Sequence, residues 1–135
     1  MGARILIAED EIAVRALVTR ALTQDGHDVV ATADGGEALD VFTNSDDKFD
    51  LVLTDIKMPV MDGIALALAV ARDNPELPIL LMTGYADQRE RASGLDALIY
   101  DVIAKPFTLG EIQYAVAGAL AATPRRQVAA RSPVV

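Results

Sequence analysis

Five polar residues stand where short apolar runs end. Glu9 and Asp10 follow Ile5-Leu6-Ile7-Ala8, and Asp55 follows Leu51-Val52-Leu53-Thr54. Thr83 follows Ile79-Leu80-Leu81-Met82, and Lys105 follows the segment Asp101 to Ala104. Four run ends therefore carry three carboxylates, a hydroxyl and an amine, none of which a core needs. Carboxylates offer the hard oxygens that a divalent cation takes. Each residue alone has a plainer reading. Asp10 could cap a helix, but Asp10-x-x-Ala13 lacks the glutamate of a capping box. Asp55 could sit in a turn, Thr83 could merely end a strand, and Lys105 could be a surface residue before Pro106. The combined set at four run ends is harder to reach by chance.

These residues need elements to bring them together. The apolar runs are continuous, as in parallel strands buried on both faces. Asp28 to Ala33 reads as a further strand, closed by Asp34-Gly35-Gly36. Helical periodicity fills the gaps. Val14, Leu17, Val18, Ala21 and Leu22 share one face, with Gly26 ending that helix. Ala38, Leu39 and Phe42 mark a second helix, and Ile64, Ala67, Leu68 and Ala71 a third. Residues 86–94 read as a polar fourth. Thr108 and Glu111 form a capping box before Ile112, Ala115, Val116, Ala119 and Leu120. Five strands alternating with five helices predict an open α/β sheet with helices on both faces. Its functional crevice lies at the carboxyl ends of the strands.

The bulk composition suits one domain with an aliphatic core. The chain has 135 residues, 52% hydrophobic and 4% aromatic. We place the domain at residues 1–122 and a disordered tail at 123–135, which holds Pro124, Arg125, Arg126, Arg131 and Pro133 without periodicity. No apolar run approaches a membrane span, and Glu9 to Glu11 interrupt any signal-peptide shape. A cytoplasmic protein is expected. There are no cysteines, and His27 is the single histidine, which excludes thiolate catalysis and Cys- or His-cluster metal sites. A net charge of −8 disfavours nucleic-acid binding and leaves a cation site as the sharper reading of the acidity. His27 reads as a solvated loop residue, and Asp46-Asp47-Lys48 as a solvated turn.

The sequence resembles the receiver domains of bacterial response regulators over about residues 3 to 122. The likeness rests on Ile7-Ala8-Glu9-Asp10, on Asp55-Ile56-Lys57-Met58-Pro59-Val60-Met61-Asp62-Gly63, on Thr83-Gly84, and on Lys105-Pro106-Phe107. It implies a flavodoxin-like receiver fold, a five-stranded parallel sheet in the order 2-1-3-4-5. It implies phosphorylation of Asp55 by a sensor histidine kinase or histidine phosphotransferase. Mg²⁺ would be held by Glu9, Asp10, Asp55 and the Lys57 main-chain carbonyl, with Lys105 and Thr83 on the phosphoryl group. Gly84 would leave the approach to Asp55 open. Pro59, Asp62, Gly63 and Pro106 would be structural, with Lys105-Pro106 in the cis form.

The resemblance also sets the expected output, which is a protein contact with an unidentified partner by a monomer or weak dimer. The chain would be a stand-alone receiver without a DNA-binding output domain, and no enzyme beyond handling its own phosphate. Proteolysis adaptors of the CpdR type are one such group. The output face would involve residues 87–91, Tyr100, Gln113 and Tyr114. The pattern departs at two places. Glu9 stands where an aspartate is frequent, which would move it towards a water-bridged role. Val102 stands three residues before Lys105, where many receivers carry a switching aromatic, so either the output signal would travel by other groups, or Tyr100 or Tyr85 would serve instead. Tyr85 would also hinder the water that hydrolyses the aspartyl phosphate. The alternative is a phosphatase of the haloacid dehalogenase type. That class wants an acid two residues after its nucleophile, where this chain has Lys57.

Overall fold

The computed structural model describes residues 2–84 and 92–131. Five strands, β1 (Arg4–Ala8), β2 (Asp28–Thr32), β3 (Leu51–Asp55), β4 (Ile79–Thr83) and β5 (Asp101–Ala104), form one parallel sheet in the order β2-β1-β3-β4-β5. Among the described residues the helices are α1 (Ile12–Gln24), α2 (Gly35–Asn44), α3 (Gly63–Asp73) and α4 (Leu109–Arg131). The helix expected at 86–94 falls largely outside the described residues. What is described there is Ala92 and a short 3₁₀ turn, Ser93–Leu95.

Side chains alternate across each strand and divide the core into two layers. Leu6, Val52, Ile79 and Leu81 face one side and pack with Leu66 and Val70 of α3. Ile5, Ile7, Leu51, Leu53, Leu80 and Met82 face the other and pack with Val18 and Leu22 of α1 and Ile112 and Val116 of α4. Each such aliphatic side chain contributes roughly 1.5–3 kcal/mol on burial. The central strands β3 and β4 are buried at every position, which explains their unbroken apolar runs.

Two helical faces differ from the periodicity reading. In α3 the buried residues are Leu66, Ala67, Val70 and Ala71, and Leu68 is exposed. Ala67 and Ala71 are buried as expected and Ile64 packs half-buried against the same layer, so the stripe is displaced only on the Leu68 side, towards Leu66 and Val70. In α1, Leu17 is half-buried yet joins neither core layer. The backbone of α4 continues to Arg131, where the sequence reading ends the helix near Ala122. Ala, Gln and Arg are good helix formers. Among the described residues no helix is long and apolar enough to cross a membrane.

Capping is local and legible. Thr108 Oγ1 accepts from the Glu111 N–H, and Glu111 Oε1 accepts from the Thr108 N–H. At α2 the Asp34 side chain accepts from the Glu37 N–H, while Glu37 Oε1 accepts from the Ala33 N–H one residue before the cap, a cap the sequence reading missed. Asp62 caps α3 by accepting from the Ala65 N–H at 2.9 Å. His27 is not simply solvated. It is half-buried, and its Nδ1 accepts from the Ala3 N–H at 3.0 Å.

The loop after β3 carries one strained residue. Val60 has φ of 70°, and the Met61 N–H donates across it to the Pro59 carbonyl at 2.8 Å. This three-residue turn has the rarer, strained sense for an L residue, and Val60 is β-branched. Its side chain is 86% exposed, so little packing offsets the strain. Val60→Gly is expected to raise stability by about 0.5–1 kcal/mol, after glycine's own entropy loss. The urea midpoint checks this, and a lower midpoint would overturn the strain argument.

Candidate functional site

The strand register places the polar strand ends in one row. Ala8 pairs with Thr54, Asp55 with Met82, and Thr83 with Ala104. Glu9, Asp55, Thr83 and Lys105 therefore follow one another along the carboxyl edge of the sheet. Lys105 is tied there through its main chain, whose N–H donates to the Thr83 carbonyl at 2.7 Å. The Lys105-Pro106 bond is cis.

Lys105 is the hub of the site. Its Nζ donates to Asp55 Oδ2 at 3.1 Å. It lies 2.7 Å from Glu9 Oε1 as an ion pair outside hydrogen-bond alignment, and 3.7 Å from Glu11 Oε1. Asp55 Oδ1 accepts from the Ile56 N–H at 2.9 Å. Both Asp55 oxygens are thus oriented before any ligand binds. Glu9 is fully buried, and its Oε2 accepts from the Glu11 N–H at 3.0 Å. Arg15 holds the Glu9 carbonyl at 2.8 Å. Arg15 and Glu11 were not anticipated. Their only sequence signal is nearness, since Glu11 directly follows the acidic pair and Arg15 lies one helical turn beyond Glu11.

Burial dominates the electrostatics. It raises the Asp55 carboxyl above its ordinary 3.8, against the lowering influence of Lys105. Glu9 is raised for the same reason, again with Lys105 opposing. Burial would lower Lys105, but its bonds to Glu9 and Asp55 outweigh that and raise it above 10.5. One ammonium therefore faces several acids, a local excess of negative charge that a cation would relieve.

Residues and cation match. Glu9, Asp10 and Asp55 each offer a carboxylate oxygen, all within 4.8 Å of one another. Asp10 is exposed, which leaves room for the waters Mg²⁺ retains. The helix-cap reading of the acidic pair fails. The N-cap of α1 is Glu11, and it makes no side-chain cap. Glu9 itself is engaged by Lys105 and the Glu11 N–H.

The site opens into a cleft of about 770 Å³, lined among others by Asp10, Asp55, Lys57, Pro59, Gly84, Lys105 and Pro106. Thr83 is buried beside it. The output residues are scattered by comparison. Val102 is half-buried and packs in the layer of Leu81. Tyr100 lies at the amino end of β5, its N–H donating to the Ile79 carbonyl and its hydroxyl beside Gly118. That is the far end of the sheet from Thr83, so the structure does not bring Tyr100 to the switch position. Gln113 is turned inward and donates to the Ala21 carbonyl of α1 at 2.9 Å, so it leaves the expected output face. Tyr114 is 84% exposed. Tyr85 and residues 87–91 lie outside the described residues.

The sequence matches the response regulator receiver domain over residues 5–117. The chain belongs to the response regulator receiver family. This receiver is 38% identical over 112 residues to the response regulator MprA of a Mycobacterium species, covering 83% of this chain and 48% of that protein. It is 37% identical over 111 residues to the transcriptional regulatory protein TcrA of Mycobacterium tuberculosis, covering 82% of this chain and 43% of that one. The receiver thus spans about half the length of these relatives. Its fold matches a CheY-like receiver domain from Methanospirillum hungatei with a TM-score of 0.84 and 28% identity, covering 93% of this chain and 99% of that one. NtrX from Brucella abortus gives 0.86 and 28%, covering 97% of this chain and 29% of that one.

Proposed function

We propose that this receiver accepts a phosphoryl group on Asp55 from a histidine kinase or histidine phosphotransferase and signals through the change that follows. The observation that carries this reading is the Asp55 carboxylate at the open cleft, 3.1 Å from the Lys105 ammonium. One Asp55 oxygen attacks phosphorus, the donor's bond to phosphorus breaks, and an aspartyl phosphate forms. The Ile56 N–H holds the carboxylate's orientation through the attack. Lys105 moves its charge from the carboxylate to the phosphoryl oxygens. The Thr83 hydroxyl donates to the phosphoryl group after transfer. Glu9, Asp10, Asp55 and the Lys57 main-chain carbonyl are the residues that would hold Mg²⁺. When bound, the ion offsets the repulsion between carboxylate and incoming anion.

We take residues 1–122 as the signalling unit, with output by protein contact. Such a switch handles its own phosphate and turns over no other substrate. Exposed Tyr114 offers an α4 side chain for that contact, and Val102 replaces an aromatic relay with aliphatic packing.

The test is incubation with Mg²⁺ and acetyl phosphate, followed by intact mass measurement. The parent chain is expected to gain one phosphoryl group and Asp55→Asn none. An unmodified parent, or equal gain in the variant, would overturn the reading.

A further inference from the structure

Glu9 and Asp10 lie between the end of β1 and Glu11, the N-cap of α1. The sheet still holds the Glu9 N–H, which donates to the Thr32 carbonyl at 3.1 Å. The Glu9 carbonyl is held from the helix instead, where Arg15 Nη1 donates to it at 2.8 Å. Helical side chains lean towards the helix N-terminus, so Arg15, in the first turn of α1, reaches back to this carbonyl. Arg15 is half-buried and stands in an acidic segment, yet the ion pairs of Glu9 and Glu11 go to Lys105. A guanidinium that takes a neutral carbonyl here leaves the charge of the carboxylates to another cation.

We infer that Arg15 is a positioning residue for the divalent cation, because its bond to the Glu9 carbonyl fixes the direction in which the Asp10 carboxylate projects. The inference rests on Glu9, Asp10 and Asp55 as the residues that hold the ion. The Glu9 carbonyl and the Asp10 N–H belong to one planar peptide group. Holding the oxygen therefore holds the plane, and with it the Cα that carries the Asp10 side chain. Asp10 needs this support more than the other two acids. Asp55 is oriented by the Ile56 N–H and Lys105, and Glu9 by the Glu11 N–H and Lys105. Asp10 is exposed, and its carboxylate has no such bond among the described residues. Without Arg15 the peptide is free to turn, and cation binding must then supply the ordering of Asp10. The charge of Arg15 acts in the opposite direction, since a positive charge near the site repels the cation. Position and charge thus give opposite signs for the effect of removing it.

The test titrates the full chain with Mn²⁺, which takes the same hard oxygen ligands as Mg²⁺, at constant ionic strength and without a phosphodonor. Free Mn²⁺ is read by electron paramagnetic resonance for the parent, Arg15→Met and Arg15→Lys, and displacement by Mg²⁺ gives the affinity for that ion. Saturation counts the folded sites, so a loss of folded protein is separated from a loss of affinity. Arg15→Met keeps the apolar stem without donor or charge, and is expected to weaken binding about tenfold, as removal of a group that orients a ligand does. Arg15→Lys keeps one donor and the charge, and is expected to stay within about threefold of the parent. Unchanged or tighter binding in Arg15→Met overturns the inference and leaves the cation site standing. So does Arg15→Lys binding as weakly as Arg15→Met. A parent that binds no Mn²⁺ overturns the cation site and the inference together.

Discussion

Asp55→Asn is expected to be more stable than the parent at neutral pH without divalent cation, by on the order of 1–2 kcal/mol. The reason is the crowding of acids around one lysine. Asp55 is 6% exposed, and burial raises its carboxyl above 3.8. A raised carboxyl favours the fold while protonated. That contribution is present below 3.8 and is lost as pH rises through the elevated folded value. At pH 7 the parent must therefore keep an ionised Asp55 against its preference. Asparagine keeps the shape and removes the charge. Lys105 does not become an orphan, because Glu9 Oε1 stays 2.7 Å away. Lys105 cannot supply the acid-side change either, since its raised value keeps its ion pairs complete until pH rises beyond 10.5. Urea midpoints for both proteins between pH 7 and pH 4 check this. The gap should close as pH falls, and Mg²⁺ should stabilise the parent more than the variant. A variant less stable than the parent at pH 7 would show that the Asp55–Lys105 contact outweighs desolvation.

Gly63→Ala is expected to cost about 2–4 kcal/mol and to slow phosphorylation. A Cβ at Gly63 would overlap the Asp55 carbonyl oxygen and lie 2.8 Å from its carbon and 3.0 Å from Ile56 Cα. Every one of these atoms is backbone and cannot rotate away. The Gly63 N–H also donates to the Ile56 carbonyl at 2.8 Å, so a shift breaks the tie between α3 and the end of β3. Helix propensity acts in the opposite direction, favouring alanine by about 1 kcal/mol. A net loss is therefore diagnostic of the close approach. Gly84→Ala is the control. Among the described residues nothing lies within 4 Å of a Cβ there, and its effect on stability should stay within about 0.5 kcal/mol. Chemical denaturation of both variants, with the phosphorylation rate of Gly63→Ala, decides the matter. Equal stability of the two would sink the argument.

Much of the molecule was legible because local rules carried it. The apolar runs of β1, β3 and β4 have no polar interruption, since these strands are covered on both faces. Thr108 and Glu111 announce the start of α4, and Asp62 the start of α3, because a cap is a short-range bond. Asp55, Glu9, Asp10, Thr83 and Lys105 were found as a set because a parallel sheet aligns its carboxyl ends. The readings that did not survive depended on direction. Leu68 and Leu17 obey helical periodicity, but only the packing of a helix on its neighbours decides which arc of its surface is covered. Tyr100 is close to Lys105 in sequence, yet β5 runs between them and separates them by the length of the strand. Gln113 turns towards α1 because α4 packs there, a contact 92 residues apart.

What the sequence by itself determined about Asp55 is its place, at the end of a buried strand among acids and a lysine. Only the tertiary structure decided its surroundings. It brought the Lys105 ammonium, fifty positions along the chain, to 3.1 Å from its carboxylate, and set Gly63 against its carbonyl. Local patterns record what each segment prefers, whereas distances between segments arise only when the strands pair in one order and the helices close over them.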